Sequence, residues 1–293
     1  MCEPGCGPNL PTINGNNPEL QVREGKPEMW TSVRTAVVVV GVAVTTVLTP
    51  PATSSAAASQ PPGGGIASIL PASGAVVGVA HPVVVTFTEP VLDRQAAERS
   101  VAVRSTPPMT GTFEWVEDNE VQWVPDRYWP SHSTVALSVG KLSADFKTGA
   151  KVVGVASIAA HTFTVTVDDV EVGPLPAPHH RPHWGEDGVL PATMGKAEFP
   201  TPTGNYTVLA KERKVLMDSS SVGIRVDSPE GYLFDVEQAV RISRRGLYVH
   251  AAPWALHSLG LQNTSHGCIG LSPTDAEWYF DRVNIGDPVI IKE

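Results

Sequence analysis

Cysteine is almost absent from this chain of 293 residues. Cys2 and Cys6 lie at the extreme N-terminus and Cys268 stands alone near the other end. No pair is available inside a folded region, which excludes a disulfide framework. Charge is also scarce, at 17% of residues against about 25% in ordinary globular proteins. Basic residues are outnumbered 21 to 30, for a net charge of −9. That balance argues against sequence-independent nucleic-acid binding, which relies on Lys and Arg neutralising phosphates. It also leaves no polybasic patch for a membrane surface. There is no Cys…Trp…Cys spacing of the antibody kind, and no lipobox Cys comes after the one long apolar run.

That run covers residues 35–49 (TAVVVVGVAVTTVLT), with Arg34 before it. As a helix it would reach roughly 22 Å, short of the ~30 Å bilayer core. It reads as a signal peptide or short signal anchor over 34–50 rather than an internal span, because Pro50 and Pro51 end it. Residues 1–33 carry four Glu beside Arg23 and Lys26, unusual ahead of a signal. The expectation is that Met29 is the true start, or that 1–33 form a short cytoplasmic tail. The chain is then exported to the cell envelope, and its membrane contact is confined to 34–50. Residues 51–64, small and rich in Pro, Ala, Ser and Gly, read as a flexible linker.

The rest of the chain is long enough for two domains, and its pattern is mostly β. Over 65–163 short β-branched runs recur at regular spacing: 81–91, 100–106 and 133–140. TGTFEWVEDNEVQWVPD (110–126) reads as a hairpin turning at Asp118-Asn119. One helical turn is expected at 93–98. This is a β-sandwich with nothing catalytic in it. Over 164–293 strand signals continue at 161–167, 204–211, 214–220, 237–243, 247–251 and 288–292. One helix is expected near the end. Ser272 can cap it, Pro273 suits its first position and Asp275 its third. Ala276, Tyr279, Phe280 and Val283 then share one face. The Pro/His-rich stretch 173–188 carries His179, His180 and His183, whose spacing does not fit a structural zinc site.

An unpaired Cys in an exported chain asks for a chemical reason. A Cys that attacks an amide carbonyl needs a base in reach, a partner orienting that base, and donors aimed at the developing oxyanion. His266 lies two residues before Cys268 and His250 eighteen before it, and Gly267 permits a tight turn between. Type and spacing leave three readings open: a nucleophile with its base, a zinc site of His250, His266 and Cys268, or a buried Cys behaving as a small hydrophobe. His257 is a reminder that not every neighbouring His takes part.

The segment YVHAAPWALHSLGLQNTSHGCIGLSPTDAEW (248–278) resembles the signature of the L,D-transpeptidase (YkuD-type) family. In that signature a His is followed, after fourteen to seventeen residues, by Ser/Thr-His-Gly-Cys. Here His250 is followed by fourteen residues and then Ser265-His266-Gly267-Cys268. FPTPTGNYTV (199–208), LMDSSSVG (216–223) and GYLFDV (231–236) are similar to segments of the actinobacterial two-domain members. SILPASGAVVGVAHPVVVTFTEPV resembles the bacterial immunoglobulin-like modules that precede such catalytic domains. The resemblance implies an immunoglobulin-like β-sandwich followed by a β-rich catalytic domain with a C-terminal helix.

The resemblance also assigns roles. Cys268 is the nucleophile, and His250 takes its proton while held by the carbonyl of Ala251. The N–H groups of His266, Gly267 and Cys268 form the oxyanion hole, and Ser265 supports that loop. Met217, Tyr232 and Trp254 serve as lid and substrate walls. The implied partners are peptidoglycan stem peptides, a donor tetrapeptide and the amine of an acceptor diamino acid, joined in a 3→3 crosslink. Hydrolysis of the same acyl-enzyme would make an L,D-carboxypeptidase instead. Acylation by carbapenem β-lactams is implied, and neither metal nor cofactor. The chain departs from the family pattern at Gly270, where Asn is usual, at Val222, where Tyr is frequent, and at Ala251, where close relatives have Ser. Gly270 puts substrate choice in doubt and keeps open a wall-binding protein of impaired turnover.

Overall fold

The computed structural model describes residues 64–173, 186 and 188–293. The tail 1–33, the apolar run 34–50, nearly all of the 51–64 linker and His179, His180 and His183 lie outside the described residues. Among the described residues no helix is long and apolar enough to cross a membrane.

The first domain runs through β1 (Ile66–Leu70), β2 (Val76–Val77), β3 (Val83–Phe87), α1 (Arg94–Ser100), β4 (Val101–Ser105), β5 (Gly111–Glu117), β6 (Glu120–Pro125), β7 (Thr134–Val139) and β8 (Leu142–Thr148). One sheet has the order β1-β3-β6-β5, the other β2-β8-β7-β4. Side chains alternate along a strand, so β7 turns Val135, Leu137 and Val139 inward while the residues between face out. They meet Val83, Val85 and Phe87 of β3 around Trp129, whose ring lies 5.4 Å from Trp123 and edge-on to Phe146. The β5–β6 hairpin turns at Asp118-Asn119 as expected. Asp93 caps α1 by accepting from the Ala96 N–H.

The second domain comprises β9 (Val152–Ser157), β10 (Thr162–Val167), β11 (Val170–Glu171), β12 (Val189–Pro191), β13 (Gly204–Thr207), β14 (Ala210–Asp218), β15 (Leu233–Arg241), β16 (Tyr248–Ala251), β17 (Ile269–Leu271), α2 (Pro273–Arg282) and β18 (Pro288–Lys292). One sheet runs β11-β10-β9-β18-β13, with β12 also on β10, and the other runs β14-β15-β16-β17. α2 closes the core with Ala276, Tyr279 and Phe280, and Tyr279 meets Phe163 of β10 edge-on at 4.9 Å. Its cap is as expected, Ser272 accepting from the Asp275 N–H.

Two expectations need correction. The boundary expected at 163/164 cuts through β10. β9 pairs in parallel with β18 and antiparallel with β10, so the second domain's sheet already begins at Val152. A central strand needs partners on both edges, and the β-sandwich supplies none for it. The strand expected at 204–211 is two strands in two sheets. β13 pairs with β18 and β14 with β15, and the chain crosses between them at Val208-Leu209.

The joint between the domains is tight. Gly78 and Ala80 donate their N–H groups to the carbonyls of Ile285 and Gly286, each at 2.8 Å. A Cβ on Gly78 would lie 2.0 Å from the Asp287 nitrogen, so no other residue fits. The Val79 N–H reaches the buried Asp287 carboxylate at 3.2 Å.

Candidate active site

β16 and β17 are parallel neighbours, with Val249 opposite Ile269 and His250 opposite Gly270. This register brings the end of one strand, with His250, beside the entry to the other, with Cys268. His250 is buried, and its Nδ1 lies 2.7 Å from the Ala251 carbonyl oxygen. A carbonyl can only accept, so Nδ1 carries the proton and Nε2 keeps a free lone pair. Burial lowers the pKa of the imidazole, against the pull of that hydrogen bond. His250 is thus a neutral ring, held in the tautomer of a base, with the Trp254 indole stacked 6.0 Å away.

Cys268 is half-buried. Burial pushes its thiol up to about 11, partly opposed by the Tyr248 backbone. The resting thiol donates to the Gly246 carbonyl at 3.8 Å, rather than to His250. The pair is therefore a neutral thiol and a neutral imidazole.

The turn between Ser265 and Cys268 is braced from both sides. Ser265 Oγ donates to the Cys268 carbonyl at 2.6 Å and accepts the Gly267 N–H at 3.1 Å. Thr201 Oγ1 donates to the Gly267 carbonyl at 2.7 Å and accepts the Gly195 N–H at 2.8 Å. Gly267 has φ +119, open only to glycine. The Gly267 N–H is held by Ser265 Oγ and so braces the turn.

His266 sits between Phe199 and Tyr232, at ring distances of 4.7 and 5.1 Å, and its Nε2 is 2.8 Å from Glu230. Glu230 also accepts from Lys196 at 2.6 Å, and these two partners lower its carboxyl pKa. With His266 so engaged, it does not converge with His250 and Cys268 on a metal. Among the described residues no group of three His, Cys, Asp or Glu could hold one.

Two cavities reach Cys268. One, of about 400 Å³, is lined by His250, Trp254, Phe234, Glu230 and Gly270 among others. The second, of about 630 Å³, opens beside Gly246 and Val222. Met217, Tyr232, His266 and Cys268 border both. Trp254 borders the first alone. Ala251 packs its side chain in the core and turns its carbonyl to His250. His257, set aside in the sequence, lines the first cavity. Glu230, Thr201 and Gly246 were not singled out, because nothing in their spacing marks them; the loops that carry them meet the signature only in the fold. Gly270 has a steric reason. A Cβ there would lie 2.9 Å from both the Ala252 Cβ and the Thr193 Cγ2. Thr193 is pinned, its Oγ1 donating to the Gln262 carbonyl and accepting the Thr264 N–H, each at 2.9 Å.

Residues 39–145 match the bacterial Ig domain family and residues 155–291 the L,D-transpeptidase catalytic domain family. The chain is 64% identical to Probable L,D-transpeptidase 3 of Mycobacterium tuberculosis, over 88% of this chain and 97% of that protein. It is 50% identical to L,D-transpeptidase 1 of the same organism, over 76% and 83%. The crystal structure of L,D-transpeptidase 3 from M. tuberculosis with a faropenem-derived adduct superposes with a TM-score of 0.73 at 67% identity, covering 78% of this chain and 98% of that one. The structure of LD transpeptidase LdtMt1 in complex with imipenem gives 0.70 at 49%, over 78% and 99%. With these relatives over most of its length, and with the signature Cys and His at the meeting of two cavities, this chain belongs to the L,D-transpeptidase family, as an immunoglobulin-like domain followed by a YkuD-type catalytic domain.

Proposed function

We propose that the chain forms 3→3 peptidoglycan crosslinks at the outer side of the cytoplasmic membrane, through a thioester on Cys268. The observation that carries this reading is the His250 ring, its Nδ1 proton tied to the Ala251 carbonyl and its Nε2 lone pair free, lining the same cavity as the only Cys among the described residues. The thiol leaves the Gly246 carbonyl and attacks the L-centre carbonyl of the donor's diamino acid. Its proton passes to His250 Nε2 as the S–C bond forms. The N–H groups of His266 and Cys268 receive the oxyanion; removing one such donor typically costs 10²–10³ in rate. Collapse breaks the C–N bond, and His250 returns the proton to the amine of the departing D-Ala. The acceptor's side-chain amine then attacks the thioester, gives a proton to His250, and Cys268 recovers it as a thiol. No step requires a metal or cofactor.

Residues 34–50 serve as the signal or anchor that delivers the domains there. β-Lactams such as those bound to the relatives acylate Cys268 by the same attack. The test is incubation with a defined tetrapeptide stem, with and without an acceptor, followed by mass analysis. A Cys268-dependent dimer is expected, with Cys268→Ala as the control. Loss of D-Ala without dimer would reassign the protein as an L,D-carboxypeptidase. Unchanged stems, together with no meropenem adduct at neutral or alkaline pH, would overturn both.

A further inference from the structure

The two cavities that meet at Cys268 differ in charge. No Lys or Arg lines the first, where Glu230 is the charged wall. The second is lined by Arg241, Arg244 and Arg245, opposed by Asp218 alone. This is a local excess of positive charge in a chain of net −9. The three arginines do different work. Arg241 is spent on its own turn, its Nε donating to the Ser243 carbonyl at 3.1 Å and its Nη2 to the Arg244 carbonyl at 2.9 Å. That clamp directs the chain into the exposed pair Arg244-Arg245. Arg244 has a loose contact with Glu120 of the first domain, 3.8 Å, too long for a hydrogen bond. Arg245 has no ion-pair partner among the described residues. The next residue is Gly246, with φ +86, whose carbonyl holds the Cys268 thiol. Arg245 thus lines the cavity and directly precedes the residue whose carbonyl meets the Cys268 thiol.

We propose that this second cavity is a carboxylate subsite, in which Arg245, assisted by Arg244, binds the free carboxylate of a stem peptide and so orients it across Cys268. The inference rests on the reading that stem peptides are the substrates. Guanidinium suits a carboxylate because its parallel N–H donors match the two oxygens. Two sources present that group. The donor ends in the D-Ala carboxylate one residue past the attacked carbonyl. An acceptor diamino acid can carry one beside its attacking amine. These are specificity residues, which act on binding more than on the chemical step.

The experiment uses the full chain with Cys268→Ala, so that binding is read without turnover. Four probes are titrated by calorimetry: donor and acceptor peptides, each with the carboxylate in question free or as a carboxamide, and every other carboxylate amidated. The free carboxylate is expected to bind about tenfold tighter than its amide in one pair, weakening with salt. Arg245→Ala removes about fivefold of that preference, as for a partly exposed charge pair, and the Arg244→Ala/Arg245→Ala double variant abolishes it. Arg245→Lys retains part, and Arg245→Glu reverses it. A preference in the donor pair assigns the subsite to the leaving residue, and one in the acceptor pair to the incoming strand. Carboxylate and amide binding within twofold, an equal loss for both in the double variant, or binding of none of the four overturns the proposal. Failure of the transpeptidase reading shows separately, as absence of dimer with the unaltered chain.

Discussion

Replacing His250 by Ala separates two ways of activating Cys268. A preformed thiolate–imidazolium pair would lose its thiolate with the imidazole; a neutral pair would not. The structure describes a neutral pair: burial pushes the thiol up to about 11 and lowers the imidazole, and the thiol's hydrogen bond is to Gly246. At pH 7 a thiol of that pKa is ionised to about one part in 10,000, against about 3% for an ordinary cysteine near 8.5. The roughly 300-fold deficit is offset about tenfold by the greater nucleophilicity of the more basic thiolate. Alkylation by iodoacetamide should therefore run about 30-fold slower than with a small thiol at pH 7. Its rate should climb about tenfold per pH unit to near pH 10. His250→Ala should change that rate less than twofold, while slowing crosslinking by about 10²–10⁴ for want of a general base. The assay is mass-detected alkylation across pH 6–10 beside single-turnover acyl transfer. A plateau of alkylation between pH 6 and 8, or a parallel loss of both activities in His250→Ala, would refute the neutral pair.

Three further outcomes are expected. Ser265→Ala should lower crosslinking about 5–30-fold, because two hydrogen bonds holding the catalytic turn are worth about 1–2 kcal/mol; the melting temperature should move by only a few degrees. Gly270→Ala should destabilise by about 1–3 kcal/mol in urea unfolding through overpacking on Thr193 and Ala252, and Thr193→Ser in the same chain should recover part of it. Asp287 concerns pH. Burial raises its carboxyl to about 7, so the folded chain holds a proton that the unfolded chain releases above about 4. Its contribution is full below about pH 4 and is lost as pH rises to about 7, a change of up to about 4 kcal/mol. Asp287→Asn should flatten that decline in denaturant titrations between pH 4 and 8.

What local pattern encodes was legible in the sequence. The Asp118-Asn119 hairpin, the Ser272 cap and the α2 face depend on residues a few positions apart, and each formed where expected. The spacing of His250 and Ser265–Cys268 left three readings open, and it was the likeness of the whole segment 248–278 to the family signature that chose among them. Long-range pairing was not legible. β9 belongs to the catalytic sheet because β18, far along the chain, lies beside it, and no local property of 152–157 reports that partner. The expected strand 204–211 failed for the same reason, since its halves pair with different strands. Glu230, Thr201 and Gly246 entered the site only through the meeting of loops. The amino-acid sequence by itself determined the β character of the chain and the signature His250…Ser265-His266-Gly267-Cys268, since these reside in residue type and short spacing. The burial that keeps Cys268 and His250 neutral and the meeting of two cavities at Cys268, one of them lined with arginine, were decided by the tertiary structure. Burial and hydrogen-bond partners arise from elements distant in the chain.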